Sequence, residues 1–130
     1  MPRNRDHMNA RKREHFRQLL LSELQLHAQH VGEEQARALE IVSDDAKSSD
    51  LALRDVIQEL ALRLGDRESK AVAEIDQALM RMKEGSYGLC VRCGEAIDER
   101  RLEAVPTARY DAACQTQIEN ASGNSAGPSL

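Results

Sequence analysis

The sequence predicts a mainly α fold: a long antiparallel coiled-coil hairpin, followed by a small zinc-ribbon-like knuckle and a short C-terminal helix. Three observations predict it. Aromatic residues make up only 2% of the 130-residue chain, too little ring volume for an ordinary globular core. Hydrophobic residues still reach 41% and charged residues 31%, with Leu, Ala, Glu and Arg prominent, a composition typical of long helices. The cysteines cluster between Cys90 and Cys114, in a segment where Gly88, Gly94 and Pro106 also appear.

Residues 1–7 are polar and expected to be disordered. No proline interrupts Met8 to Val42. Phe16, Leu20, Leu24, His27, Val31, Ala38 and Val42 recur in steps of three and four, tracing one stripe along a helix spanning 8–42. Gly32 falls inside that stripe at a cost of about 1 kcal/mol relative to Ala. Because the stripe resumes in phase, the spacing predicts a bend there rather than a break.

Residues 43–50 read as a polar, acidic tip, with Ser49 or Asp50 suited to cap the next helix. The second stripe is Leu53, Ile57, Leu60, Leu64, Ala71, Ile75, Leu79 and Met82, giving a helix over 51–84 that Gly85 terminates. Two such helices joined by a short loop form an antiparallel hairpin over 8–85. Each arm would reach roughly 50 Å.

Residues 86–121 are expected to form a metal module. Cys90-Val91-Arg92-Cys93-Gly94 places two thiols where one ion can take both. Asp111-Ala112-Ala113-Cys114 occupies the place of a second such pair, at a separation usual for a four-ligand zinc module. Zinc accepts carboxylate oxygen beside thiolate, so Cys90, Cys93, Asp111 and Cys114 are the candidate ligands. The alternative is a metal-free remnant packed on Tyr87, Leu89, Ile97, Leu102 and Val105. A thiol-redox pair at Cys90 and Cys93 is the chemical competitor, but such pairs open a helix beside a central sheet. His7, His15, His27 and His30 lie far upstream and read as face or seam residues. A short helix is expected around Ala112–Asn120, then a disordered tail over 122–130 of linker composition.

An odd number of cysteines, three in all, fits a reducing compartment better than a disulfide framework. The formal net charge of −4 argues against direct DNA binding, for which a basic domain is normal. No apolar window approaches the ~18 residues that would span a membrane. Nor does Met1-Pro2-Arg3-Asn4-Arg5-Asp6 lead into a signal-peptide core. The expectations are therefore a cytoplasmic location, no membrane partner and, since the hairpin covers its own seam, a monomer. There is no phosphate loop and no nucleophile–His constellation, so an enzyme is not expected.

The stretch Tyr87-Gly88-Leu89-Cys90-x-x-Cys93-Gly94-x-x-Ile97, then Arg101-Leu102-Glu103-Ala104-x-Pro106-Thr107-Ala108, resembles the DksA/TraR family of bacterial transcription regulators. The Asp111/Cys114 pair and Leu62-Arg63-x-x-Asp66-Arg67-Glu68 extend the resemblance, which runs from about Ser43 to Asn120. It implies a regulator that binds RNA polymerase without contacting DNA. The coiled coil would enter the secondary channel, bringing the tip residues Asp44, Asp45, Asp50 and Ala52 toward the active site. A binding module of the same fold without direct transcriptional effect, or a thiol/zinc redox switch, are the alternatives.

Three positions depart from the family. Asp111 stands in place of its third cysteine. Asp50-Leu51-Ala52 matches the second half of the family's tip motif, but Lys47 stands where its first acid belongs. Arg67 fits the alarmone and polymerase contact, yet Glu74 and Gln115 stand where basic residues are expected. Phosphate binding needs cations or free amides, so the resemblance implies weak or absent ppGpp synergy.

Overall fold

The computed structural model describes residues 8–44 and 50–126. They form six helices: α1 Ala10–Val31, α2 Glu33–Asp44, α3 Asp50–Leu62, α4 Asp66–Glu84, α5 Glu99–Ala104 and α6 Ala112–Ala126. The mainly helical class stands. The predicted residues 1–7 and 127–130, and Asp45 and Lys47 of the tip, lie outside the described residues.

Each predicted arm is divided at a glycine. Helix α1 starts at Asn9, whose side-chain Oδ1 accepts the Lys12 N–H at 2.8 Å. It stops at Gly32, with φ 150° and ψ 172°, a region that only glycine adopts readily. The chain then reverses. Gln25 Nε2 donates to the Ala36 carbonyl at 2.9 Å, although residues so spaced on one continuous helix would lie ~16 Å apart. The second arm likewise ends at Leu62 and restarts after Gly65. There Arg54 reaches Asp76 at 3.2 Å, across what would be ~33 Å of unbroken helix. The bend expected at Gly32 is thus a full turn, and the single helices 8–42 and 51–84 are four.

These four helices close on one another. Helix α1 packs against α2 and α4, α2 against α3, and α3 against α4. The arrangement is an up-down-up-down bundle, in which the hairpin's pairings, α1 with α4 and α2 with α3, are both retained. Phe16, Leu20, Leu24 and Ala28 of α1 meet Ile57, Leu60, Val72, Ile75 and Ala78 in the buried core. Past Gly32 the buried position is Leu39, at 1% exposure, while Ala38 is only half-buried. The turn resets the phase of the stripe.

The knuckle sits on the end of the bundle where α1 begins and α4 ends. Tyr87 is buried, its ring 5.9 Å from that of Phe16 and its hydroxyl donating to the Pro106 carbonyl at 2.7 Å. Burial pushes its phenol well above the ordinary tyrosine range. Lys12–Glu99 at 2.9 Å and His15–Glu103 at 2.6 Å add contacts at the rim, each worth little because it is exposed. Replacing Tyr87 with Phe removes the donor from the buried Pro106 carbonyl. Urea unfolding of metal-loaded protein should show a loss of about 1–3 kcal/mol; an unchanged midpoint would deny the bond this role.

Helix α6 continues to Ala126, beyond the expected Asn120 end. Of the residues expected to pack the knuckle, Tyr87, Ile97 and Leu102 are buried, but Val105 is 47% exposed.

Candidate metal centre

The knuckle is built from short-range bonds. Leu89 and Ala96 form an antiparallel bridge, and the Cys90 N–H donates to the Glu95 carbonyl at 2.7 Å. Gly94 closes the turn with φ 81°, its N–H donating to the Cys90 carbonyl at 2.9 Å. This left-handed glycine lets the turn wrap around the first sulfur. Val91 N–H donates to the Arg109 carbonyl at 2.7 Å, tying the first pair of ligands to the second.

Helix α5, which the periodicity did not foretell, braces the middle. Asp98 caps it by accepting the Arg100 N–H at 2.8 Å, and Leu102 inserts fully into the core. Arg101 Nε donates to the Tyr110 carbonyl at 3.0 Å, just before Asp111. The local signals were Asp98 as an N-cap and the Arg101-Leu102-Glu103 run; neither has a helical stripe.

Asp111 stands immediately before α6 and caps it. Its Oδ1 accepts the Cys114 N–H at 2.8 Å, which leaves Oδ2 facing Cys93 Sγ at 3.1 Å. One carboxylate therefore holds the helix and offers a ligand. The donor atoms of Cys90, Cys93, Asp111 and Cys114 all lie within 4.8 Å of one another. All three cysteines are free thiols, with Cys90 and Cys114 buried and Cys93 exposed.

The electrostatics suit a cation. Burial works to raise the Cys90 thiol, but backbone amides of Cys93, Asp111 and Arg92 outweigh it and bring the group down to about 7. Cys114 is pushed up to about 12, by burial first and then by the neighbouring Cys90, Cys93 and Asp111. Asp111 is held below the ordinary carboxylate range by the Cys114 amide and by Cys93. Three sulfurs and a carboxylate crowded together disfavour full ionisation unless a cation sits between them. Four converging donors of this type fit one tetrahedral zinc ion, with every position taken by protein, as in structural sites.

The other predicted residues are spread out. Asp44 closes α2 and is exposed, Asp50 opens α3, and Ala52 is half-buried in its first turn. Arg67 is exposed near the start of α4. Glu74 and Gln115 line one open groove with Arg101 and Arg109, but Arg67 is not part of that lining.

Fold and site together define a helical protein carrying a structural zinc module. Residues 85–120 match the prokaryotic dksA/traR C4-type zinc finger family. The chain is 37% identical over 112 residues to the RNA polymerase-binding transcription factor DksA of Caulobacter vibrioides, covering 86% of this chain and 79% of that protein. It is 31% identical to its namesake from Escherichia coli K12, over 88% of this chain and 76% of that one. The solved structure of transcription factor DksA2 from Pseudomonas aeruginosa matches with a TM-score of 0.61 and 33% identity, covering 89% of each chain. The chain belongs to the DksA/TraR family.

Proposed function

We propose that this protein is a transcription regulator that binds RNA polymerase directly, not DNA, and acts through the polymerase's secondary channel. The observation that carries the reading is similarity along most of the chain to proteins named as RNA polymerase-binding transcription factors. In this reading Cys90, Cys93, Asp111 and Cys114 hold one zinc ion, which fixes the knuckle as a docking base. Asp44, Asp45, Asp50 and Ala52 form the tip that approaches the active site. A few carboxylates on a narrow element count strongly in a confined, positively lined passage. The protein acts as a monomer and is a binding protein, not an enzyme.

Alarmone synergy is weak or absent in this proposal. The groove holding Glu74 and Gln115 mixes Arg101 and Arg109 with Glu74 and Glu119. Arg101 is already bonded to Tyr110, and Arg109 stacks on the Tyr110 ring at 5.3 Å. That lining offers little free positive charge to a polyphosphate.

Entry into a channel also requires the bundle to open. In the compact form α2 and α3 fold back along α1 and α4, so Asp44 and Asp50 do not lie at the far end of the molecule. Straightening at Gly32 and Gly65 would keep the α1–α4 and α2–α3 pairings and carry the tip outward.

Purified protein should bind core RNA polymerase and change promoter output in a reconstituted transcription assay. Asp50→Asn should bind equally but lose most of the effect. Failure to bind, or an unchanged output with Asp50→Asn, would sink the proposal; binding without any transcriptional effect would favour a docking module.

A further inference from the structure

We propose a second metal site, formed by His27, His30 and Glu68, that takes a borderline divalent cation such as Zn²⁺ and staples α1 to α4. His27 and His30 are three apart on α1 and share one face of it. Glu68 comes from the first turn of α4. Its Oε2 lies 3.1 Å from His27 Nδ1 and 2.7 Å from His30 Nδ1. The three candidate donor atoms all lie within 4.8 Å of one another.

The chemistry fits. Two imidazoles and a carboxylate suit Zn²⁺, with Co²⁺ and Ni²⁺ as substitutes. A tetrahedral ion bound at ~2.0–2.1 Å separates its ligand atoms by ~3.3 Å. The two spacings to Glu68 Oε2, 3.1 and 2.7 Å, are close to that. The degree of exposure also fits a site that an ion can enter: the His27 side chain is 20% exposed, Glu68 34% and His30 63%. Three protein ligands leave a fourth position for water.

The site lies away from the knuckle, beside the turns at Gly32 and Gly65. An ion here would fix the C-terminal end of α1 to the N-terminal end of α4, where both arms reverse. It shares no residue with the sulfur site, which lies at the opposite end of α1 and α4, so the two sites load independently.

The test uses full-length protein isolated without chelator, its knuckle already filled with zinc. Titration with Co²⁺ should add one ion per chain, giving visible d–d absorption without thiolate charge transfer. Calorimetry with Zn²⁺ should give the same stoichiometry, and excess Zn²⁺ should raise Tm. His30→Ala and Glu68→Gln should each weaken this ion by roughly tenfold or more and abolish the Tm shift, with far-UV circular dichroism unchanged. No uptake beyond the knuckle's ion would overturn the proposal. So would uptake that persists undiminished in both variants, since the ion would then lie elsewhere.

Discussion

Cys90→Ser should abolish zinc binding at the knuckle and unfold residues 86–121, leaving the helical bundle in place. The reason is size. Besides the start of α6 the module has one bridge pair and a six-residue helix, and segments this short rarely bury enough surface to fold unaided. Structural zinc contributes folding energy outright, about 10–16 kcal/mol in thiolate-rich fingers near neutral pH. Cys90 is central to that contribution because it is 3% exposed and the surrounding backbone amides hold its thiol low, favouring the thiolate that binds metal. Serine offers an oxygen that those amides cannot ionise at neutral pH. The measurement is thiolate-to-cobalt charge transfer after cobalt exchange, read beside amide hydrogen exchange across 86–121. Retention of both signals in Cys90→Ser would refute the assignment.

The same assay ranks Asp111. Asp111→Ala removes a ligand and the cap of α6 together, so its metal should weaken and the helix start should fray. Asp111→Cys should tighten the metal, since thiolate is the softer donor, but lose the cap, worth about 1 kcal/mol. Equal affinity in wild type and Asp111→Ala would remove Asp111 from the ligand set. Its double duty gives a physical reason for aspartate here: the carboxylate bonds the Cys114 amide at 2.8 Å, which a thiol does poorly.

What could be read from the sequence depended on the range of the interactions. The knuckle was legible because its donors announce themselves by local spacing: Cys90 and Cys93, then Asp111 three positions before Cys114. Helix α5 was not, because six residues cannot display a stripe and Leu102 acquires its meaning only inside the core. The apolar stripes located α1 and α4 correctly at Phe16, Leu20, Leu24 and Ile75. They failed at the turns. A glycine in a periodic run costs only about 1 kcal/mol, so Gly32 and Gly65 are compatible with either a bent helix or a reversal. The choice is made by apolar faces distant in sequence, such as Leu39 against its neighbours across the bundle. The His27–His30–Glu68 cluster was hidden for the same reason: it exists only once α1 and α4 are side by side.

Gly32→Ala should shift the protein from the compact bundle toward the extended rod. In the bundle, Gly32 has φ 150°, and a Cβ added there would meet nothing within 4 Å. The penalty is therefore backbone strain alone, about 1–3 kcal/mol. In a continuous helix the same change is favourable by about 1 kcal/mol. The two effects act in one direction and should move the equilibrium by roughly 30- to 1,000-fold. Opening is resisted by the packing of α1 on α2 and of α3 on α4, which includes the Gln25–Ala36 bond and the Arg54–Asp76 pair. The α1–α4 and α2–α3 pairings survive, so much of the buried surface need not be exposed. Small-angle scattering should report the change: a compact chain of this length has a radius of gyration of about 14 Å, and the rod about 20 Å. If the rod is the polymerase-binding form, Gly32→Ala should also bind core polymerase more tightly, because less of the free energy of binding is consumed in opening. A variant that stays compact and merely melts at lower temperature would show that the bundle does not open, and that the channel reading needs another route for the tip.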